Sequence, residues 1–149
     1  MINAIFSNTD AENHAKPLEG KTISHVWRSI ESAIFLEIGE LTYSNNDKPP
    51  KGEFTIGIEW SWRLENNNSI VLGSWSDDDI INTIKSILND QVIKKISFFS
   101  RLKEIEIETK DGNWLLSFAT AEGDSEWTIR NKNKWLFCKK GRFVIEENT

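Results

Sequence analysis

From Phe54 to Glu65 the chain alternates: Phe54, Ile56, Ile58, Trp60, Trp62 and Leu64 are apolar, and the residues between them, Thr55, Gly57, Glu59, Ser61, Arg63 and Glu65, are small or polar. Successive side chains of a strand point to opposite faces, so the pattern predicts one long strand with six large apolar groups on one side of a half-buried antiparallel sheet. Asn66-Asn67-Asn68 closes it with residues that tolerate turn geometry, and Ser69 to Leu72 returns as a hairpin partner. Thr22–Ser29 and Ala33–Ile38 read as a hairpin through Ile30-Glu31-Ser32. Ser44 to Gly52, rich in Asn, Pro and Gly, reads as a loop. Further strands are expected at Val92–Phe99, at Glu104–Glu108 with its carboxylates facing water, and at Trp114–Phe118 after an Asp111-Gly112 turn. Three more follow at Glu126–Arg130, Lys134–Cys138 and Arg142–Glu146, with Lys139-Lys140-Gly141 as a turn.

One segment has the other period. Ile80, Ile81, Ile84, Ile87 and Leu88 form a single helical stripe, and Asn89-Asp90 ends it. Ser76 can cap the start, with Asp79 at the third helical position and the acidic run favouring the positive end of the helix dipole. The main helix is therefore expected over about 77–89. Residues 1–17 show no sustained period and read as a loosely ordered lead-in. The fold class predicted is α+β, mostly antiparallel β, with one domain over 1–149. A repeat is suggested too. Leu18-Glu19-Gly20-Lys21-Thr22-Ile23 and Leu88-Asn89-Asp90-Gln91-Val92-Ile93 each open a two-strand unit followed by a Trp- and Arg-bearing strand, Trp62-Arg63-Leu64-Glu65 and Trp127-Thr128-Ile129-Arg130. Two similar β units forming twisted sheets beside one main helix would fit.

Composition narrows the class. A chain of 149 residues, 38% hydrophobic and 28% charged, is ordinary for one globular domain. The N-terminal stretch has neither the basic start nor the apolar run of a signal peptide, and no segment approaches the ~20 apolar residues that cross a bilayer. Cys138 is the sole cysteine and has no internal disulfide partner. These features point to the cytoplasm. The net charge of −5 opposes broad nucleic-acid binding and suits a basic protein partner.

Candidate chemistry is sparse. His14 and His25 have no sequence-near Cys or Asp at metal spacing, and no catalytic or cofactor motif is present, so neither an enzyme nor a cofactor is expected. Cys138, beside Lys139 and Lys140, reads as a buried, inert thiol, because strand neighbours point to opposite faces. Arg130, Lys132, Lys134, Lys139, Lys140 and Arg142 interleave with Trp135 and Phe137, a pattern that can hold single strands but equally suits a solvated strand with its turns. Asp77, Asp78 and Asp79, with Glu122, Asp124 and Glu126, are acidic clusters at element ends. They are candidates for docking a cationic partner or simply solvated faces. Trp75 stands beside the first of them. Seven tryptophans leave room for one or two exposed binding anchors among core residues.

The opening Leu18-Glu19-Gly20-Lys21-Thr22-Ile23, Gly52-Glu53-Phe54 leading to Trp62-Arg63-Leu64-Glu65, the Ser76-Asp77 helix start, the Asp111-Gly112 hairpin, Phe118 and the late Glu126-Trp127 come in a familiar order. Over about residues 18–130 the chain resembles bacterial immunity proteins of polymorphic toxin systems, including the wall-associated and contact-dependent growth inhibition types. That resemblance implies a cytoplasmic protein that binds one cognate toxin domain, often a basic nuclease, and occludes it without catalysis, touching neither nucleic acid nor membrane itself. It transfers no contact residue and leaves monomer or homodimer open. The alternative from another class is a Trp-rich β module binding carbohydrate or another ligand.

Overall fold

The stretch expected to be a loose lead-in is built into the fold. In the computed structural model, which describes residues 2–29, 32–76, 79–120 and 127–148, strand β1 (Ile2–Phe6) is followed by helix α1 (Asn8–Ala15) and a 3-10 turn, Lys16–Leu18. Ser7 and Asp10 form a reciprocal capping box at the start of α1. Its buried face consists of Ala11 and Ala15. Alanines at that spacing leave no stripe of large apolar residues to read, which is why sequence periodicity missed the helix.

Then come β2 (Ile23–Arg28), β3 (Ile34–Ile38), β4 (Phe54–Ile58), β5 (Trp62–Glu65) and β6 (Ile70–Gly73). Helix α2 (Ile80–Leu88) precedes β7 (Ile93–Phe99), β8 (Glu104–Thr109), β9 (Trp114–Ser117), β10 (Trp127–Asn131), β11 (Lys134–Lys139) and β12 (Arg142–Glu147). The strands form a seven-stranded sheet, β1-β12-β11-β10-β4-β3-β2, and a five-stranded one, β6-β5-β9-β8-β7, with antiparallel pairing throughout both. The class is α+β with antiparallel sheets, and α2 is the main helix, as expected.

Two further expectations need correction. The alternating stretch 54–65 is not one strand: it breaks at 59–61, where the chain leaves the seven-stranded sheet as β4 and enters the five-stranded sheet as β5. The alternation survives because Phe54, Ile56, Ile58, Trp62 and Leu64 all enter the same core from the inner faces of two sheets. Trp60, at the crossing, is turned out and 46% exposed. The second correction concerns the start of α2. Asp79 is its N-cap residue rather than its third position, and Ser76 does not cap it, since the Ser76 Oγ accepts the Gly73 N–H instead. Asp77 and Asp78 lie outside the described residues. The stripe itself is as expected: Ile80, Ile84 and Leu88 are buried, with Ile81 and Ile87 packed beside them.

The suggested repeat is present in three dimensions. Leu18–Ile23 and Leu88–Ile93 lie antiparallel to each other and exchange equivalent hydrogen bonds. Gly20 N–H donates to Ile93 O and Asp90 N–H to Ile23 O, both at 2.8 Å. Ile23 N–H reaches Gln91 O at 2.8 Å, and Ile93 N–H reaches Lys21 O at 2.9 Å. Each segment contains a positive-φ residue, Gly20 at +88° and Asp90 at +70°, and each leads into a bulged strand. Pseudo-two-fold symmetry thus pairs β2, β3, β4, β5 and β6 with β7, β8, β9, β10 and β11. The fourth strand of each unit joins the other unit's sheet: β5 pairs with β9, and β10 with β4. The buried indoles match as well, Trp62 Nε1 donating to Ser32 O and Trp127 Nε1 to Lys103 O.

Gly20 shows what the turn requires. A Cβ there meets nothing within 4 Å, so Gly20→Ala tests backbone strain alone. The left-handed conformation is expected to cost about 1–2 kcal/mol, read as a lower urea midpoint with unchanged slope. An unshifted midpoint would show that the turn relaxes. Asp90 meets the same demand with a side chain that tolerates this region.

Candidate functional site

The two halves of the repeat agree on their inner faces and diverge on the outer ones. On the outer face of the seven-stranded sheet, one cross-strand row runs Glu37 (β3), Thr55 (β4), Arg130 (β10). At the equivalent row of the five-stranded sheet stand Glu108 (β8), Trp114 (β9) and Glu65 (β5). Where the first row sets a cation against its carboxylate, the second sets another carboxylate.

The first row is a closed network. Glu37 and Arg130 are 3% and 4% exposed. Glu37 Oε1 accepts the Thr55 hydroxyl at 2.6 Å and the Gly52 N–H at 3.0 Å, and its Oε2 accepts Trp27 Nε1 at 2.8 Å. Arg130 donates to the oxygens of Thr55, Gly52, Glu53 and Lys132. Burial lowers the Arg130 pKa and Glu37 opposes that shift. A side chain at position 52 would come within 2.6 Å of the Ile38 backbone, so only glycine lets this loop end lie between Glu37 and Arg130 and bond to both. Arg130, counted in the sequence as part of a basic segment, is therefore unavailable to a ligand. Cys138 is buried on the inner face, and Lys139 points away from it over Phe137.

The second row is open. Glu65, Glu106 and Glu108 are half-exposed on the outer face, Trp114 is half-buried among them, and Ile70, opposite Glu65, is 60% exposed. Glu65, Asn66, Asn67, Glu106 and Trp114 line a shallow cavity of about 220 Å³. Partial burial raises the Glu106 pKa, the carboxylates of Glu65 and Glu108 raise it further, and Lys95 opposes them. Glu65 is bridged by Arg63 at 2.6 Å and Glu108 by Lys94 at 3.3 Å. At the other end of the β5–β6 hairpin, Trp75 is 70% exposed and its Nε1 donates to the Ser61 hydroxyl, next to the exposed Trp60.

Of the residues expected to bind a partner, Trp75 is exposed at this corner. Asp79 is exposed at the start of α2, where its Oδ2 accepts the Asn82 amide. Asp77, Asp78, Glu122, Asp124 and Glu126 lie outside the described residues. Glu65, Glu106, Glu108, Trp114, Trp60 and Ile70 carry no sequence signal of a binding role. The Glu104–Glu108 alternation marked a water-facing edge, but nothing in the sequence placed Glu65 two strands away on the same row.

His14 Nε2–H donates to Ile129 O at 3.1 Å, tying α1 to β10. Burial lowers its pKa, the backbone bond opposes, and Lys134 lowers it further; burial and Lys85 lower that of His25 against Glu37. A histidine held below its unfolded value of 6.5 binds fewer protons folded than unfolded. Stability is therefore full above that pH and falls as pH drops through it. The melting temperature is expected to fall between pH 7.5 and 5.5, with a shallower fall in His14→Gln. Equal slopes would remove His14 from the account.

Among the described residues, no three His, Cys, Asp or Glu side chains are grouped to hold a metal ion, and no helix is long and apolar enough to cross a membrane. No family model, curated protein or solved structure matches the chain.

Proposed function

We propose that the protein is an immunity-type inhibitor that binds a cationic toxin domain of the nuclease class and occludes it, without catalysis, from the cytoplasm. The observation that carries this reading is the Glu108–Trp114–Glu65 row with Glu106 beside it. Its counterpart in the same fold is buried with Arg130, whereas here the carboxylates stay half-exposed with Glu65 and Glu108 bridged by Arg63 and Lys94, and partial burial together with the Glu65 and Glu108 charges raises the Glu106 pKa. A cationic partner relieves that repulsion, and the exposed Ile70, Trp60 and Trp75 supply the apolar and aromatic contacts on which binding energy concentrates. The net charge of −5 speeds encounter with a basic domain. The sequence resemblance to immunity proteins points the same way.

The test is co-expression with the toxin domain encoded immediately upstream. Survival and a one-to-one complex are expected, with both lost in Glu65→Lys/Glu106→Lys and with association slowing as salt rises. Rescue by the double variant as efficient as by wild type would remove this face from the interface. A failure of wild type to rescue would remove the reading itself. The ligand-binding alternative draws on Trp27 and Trp135, both half-buried on the outer face of the seven-stranded sheet. Trp27 stacks on Phe35 at 4.2 Å and Trp135 on Phe137 at 6.4 Å. A saturable change in tryptophan fluorescence on titration with oligosaccharides would favour it.

A further inference from the structure

The two sheets end in four edge strands, β1 and β2 in one, β6 and β7 in the other. Unpaired N–H and C=O groups along an edge recruit further strands, so folds blunt their edges with bulges, charges and cover. Three of the four are blunted. β2 is irregular between Ile23 and His25, carries Arg28 and has α2 packed against it. β6 is irregular where it pairs with β5 near Glu65, and Ser76 Oγ takes up the outward N–H of Gly73. β7 is irregular between Ile93 and Lys95, carries Lys94 and Lys95, and gives the N–H of Ile96 to Glu19.

β1 has none of these devices. Ile2 to Phe6 run in unbroken register against Glu147 to Phe143, and Ile2-Asn3-Ala4-Ile5-Phe6 holds no charge in a chain where 28% of residues are charged. The ladder fixes which groups face outward. On the far side of β12, Asn148 N–H donates to Asn133 O at 3.0 Å. Bonding direction alternates along a strand, so Glu147, Ile145 and Phe143 bond to their partners Ile2, Ala4 and Phe6. Asn3 and Ile5 therefore turn N–H and C=O away from the sheet.

We propose that β1 pairs with β1 of a second copy, antiparallel about a two-fold axis at Ala4, joining two seven-stranded sheets into one. Asn3 of each copy then faces Ile5 of the other and exchanges both N–H···O bonds with it. This register alone overlaps the strand over its whole length. Self-complementarity selects a second copy, because a two-fold axis sets a strand against its own sequence and like charges facing across strands repel. β1 meets that condition, and so does the strand behind it. The cross-strand rows become Glu147–Ile2–Phe6–Phe143 and Glu146–Asn3–Ile5–Val144, so no carboxylate of β12 faces its like. A foreign strand would find no charge on this edge to read, whereas a second copy satisfies two open edges at once. The acidic row lies on the other sheet and takes no part.

The test is light scattering of the full chain eluting from a size-exclusion column, through a dilution series. A concentration-dependent monomer–dimer equilibrium is expected. Asn3→Pro and Ile5→Pro each delete an outward N–H while leaving the β12 bonds in place, and edge strands tolerate proline. Each should raise the dimer dissociation constant about tenfold or more, with the far-UV circular dichroism spectrum unchanged. Asn3→Ala keeps the N–H and should dimerise like wild type. In a mixture of isotope-labelled and unlabelled copies, an NOE between the Ala4 Hα protons of the two copies is expected, because a non-hydrogen-bonded pair brings the backbones closest. A chain that stays monomeric at every concentration would overturn the proposal. So would a dimer that both proline variants leave intact, one lost in Asn3→Ala, or one without the Ala4 contact.

Discussion

Glu37→Ala is expected to destabilise the protein by about 3–5 kcal/mol, a large share of the 5–15 kcal/mol typical of a domain. The substitution leaves the Arg130 guanidinium buried opposite no countercharge. It also removes the acceptor of the Thr55 hydroxyl, the Gly52 N–H and the Trp27 indole at one stroke. Arg130→Ala should cost a similar amount by stranding the carboxylate. Replacing both by methionine should cost far less than either single change, because the desolvation of two charges disappears along with their attraction. Urea unfolding of the three variants at pH 7 decides this. If the double variant is as unstable as the sum of the singles, the network stabilises through its geometry rather than by avoiding a stranded charge.

The second large effect is at the paired indoles. Trp127→Ala should cost about 3–5 kcal/mol through lost burial and the cavity left behind, since Trp127 is fully buried with Phe98 at 5.1 Å and Phe143 at 6.0 Å. Trp62→Ala, at the symmetry-equivalent position and also buried, should fall in the same range. The phenylalanine variants separate packing from hydrogen bonding. They keep much of the apolar volume but leave Ser32 O or Lys103 O without its indole donor, for an expected loss of about 1–3 kcal/mol. Thermal unfolding of all four variants provides the comparison. A Trp62→Ala variant as stable as wild type would show that the two halves do not share their load as the geometry implies.

Strands, turns and the stripe of α2 were legible because each rests on local grammar: alternation, Asp111-Gly112, and isoleucines at helical spacing. The repeat was legible in part, since Leu18–Ile23 and Leu88–Ile93 occupy similar places in the chain; that they lie against each other was not. Alternation could not show the break at 59–61, because a strand that changes sheets without changing phase looks unbroken. Helix α1 was hidden by its alanines. The candidate surface was the least legible of all. Glu108, Trp114 and Glu65 are neighbours only through the pairing of β8, β9 and β5, and no local pattern encodes which strand lies beside which. Arg130 failed in the opposite sense: it read as part of a basic surface, and tertiary packing buried it against Thr55 and the Gly52 carbonyl, with Glu37 on the far side of Thr55.

Crossing of the fourth strands between the halves has a consequence for synthesis. When the ribosome has released residues up to β6, β4 still lacks β10 and β5 still lacks β9, so the first half waits with its sheet edges open. Pairings this distant along the chain are slow to form. The acidic row draws Glu65 from the first half and Trp114 and Glu108 from the second, so it has no existence in a nascent or half-folded chain. A partner that recognises it would therefore meet only finished molecules.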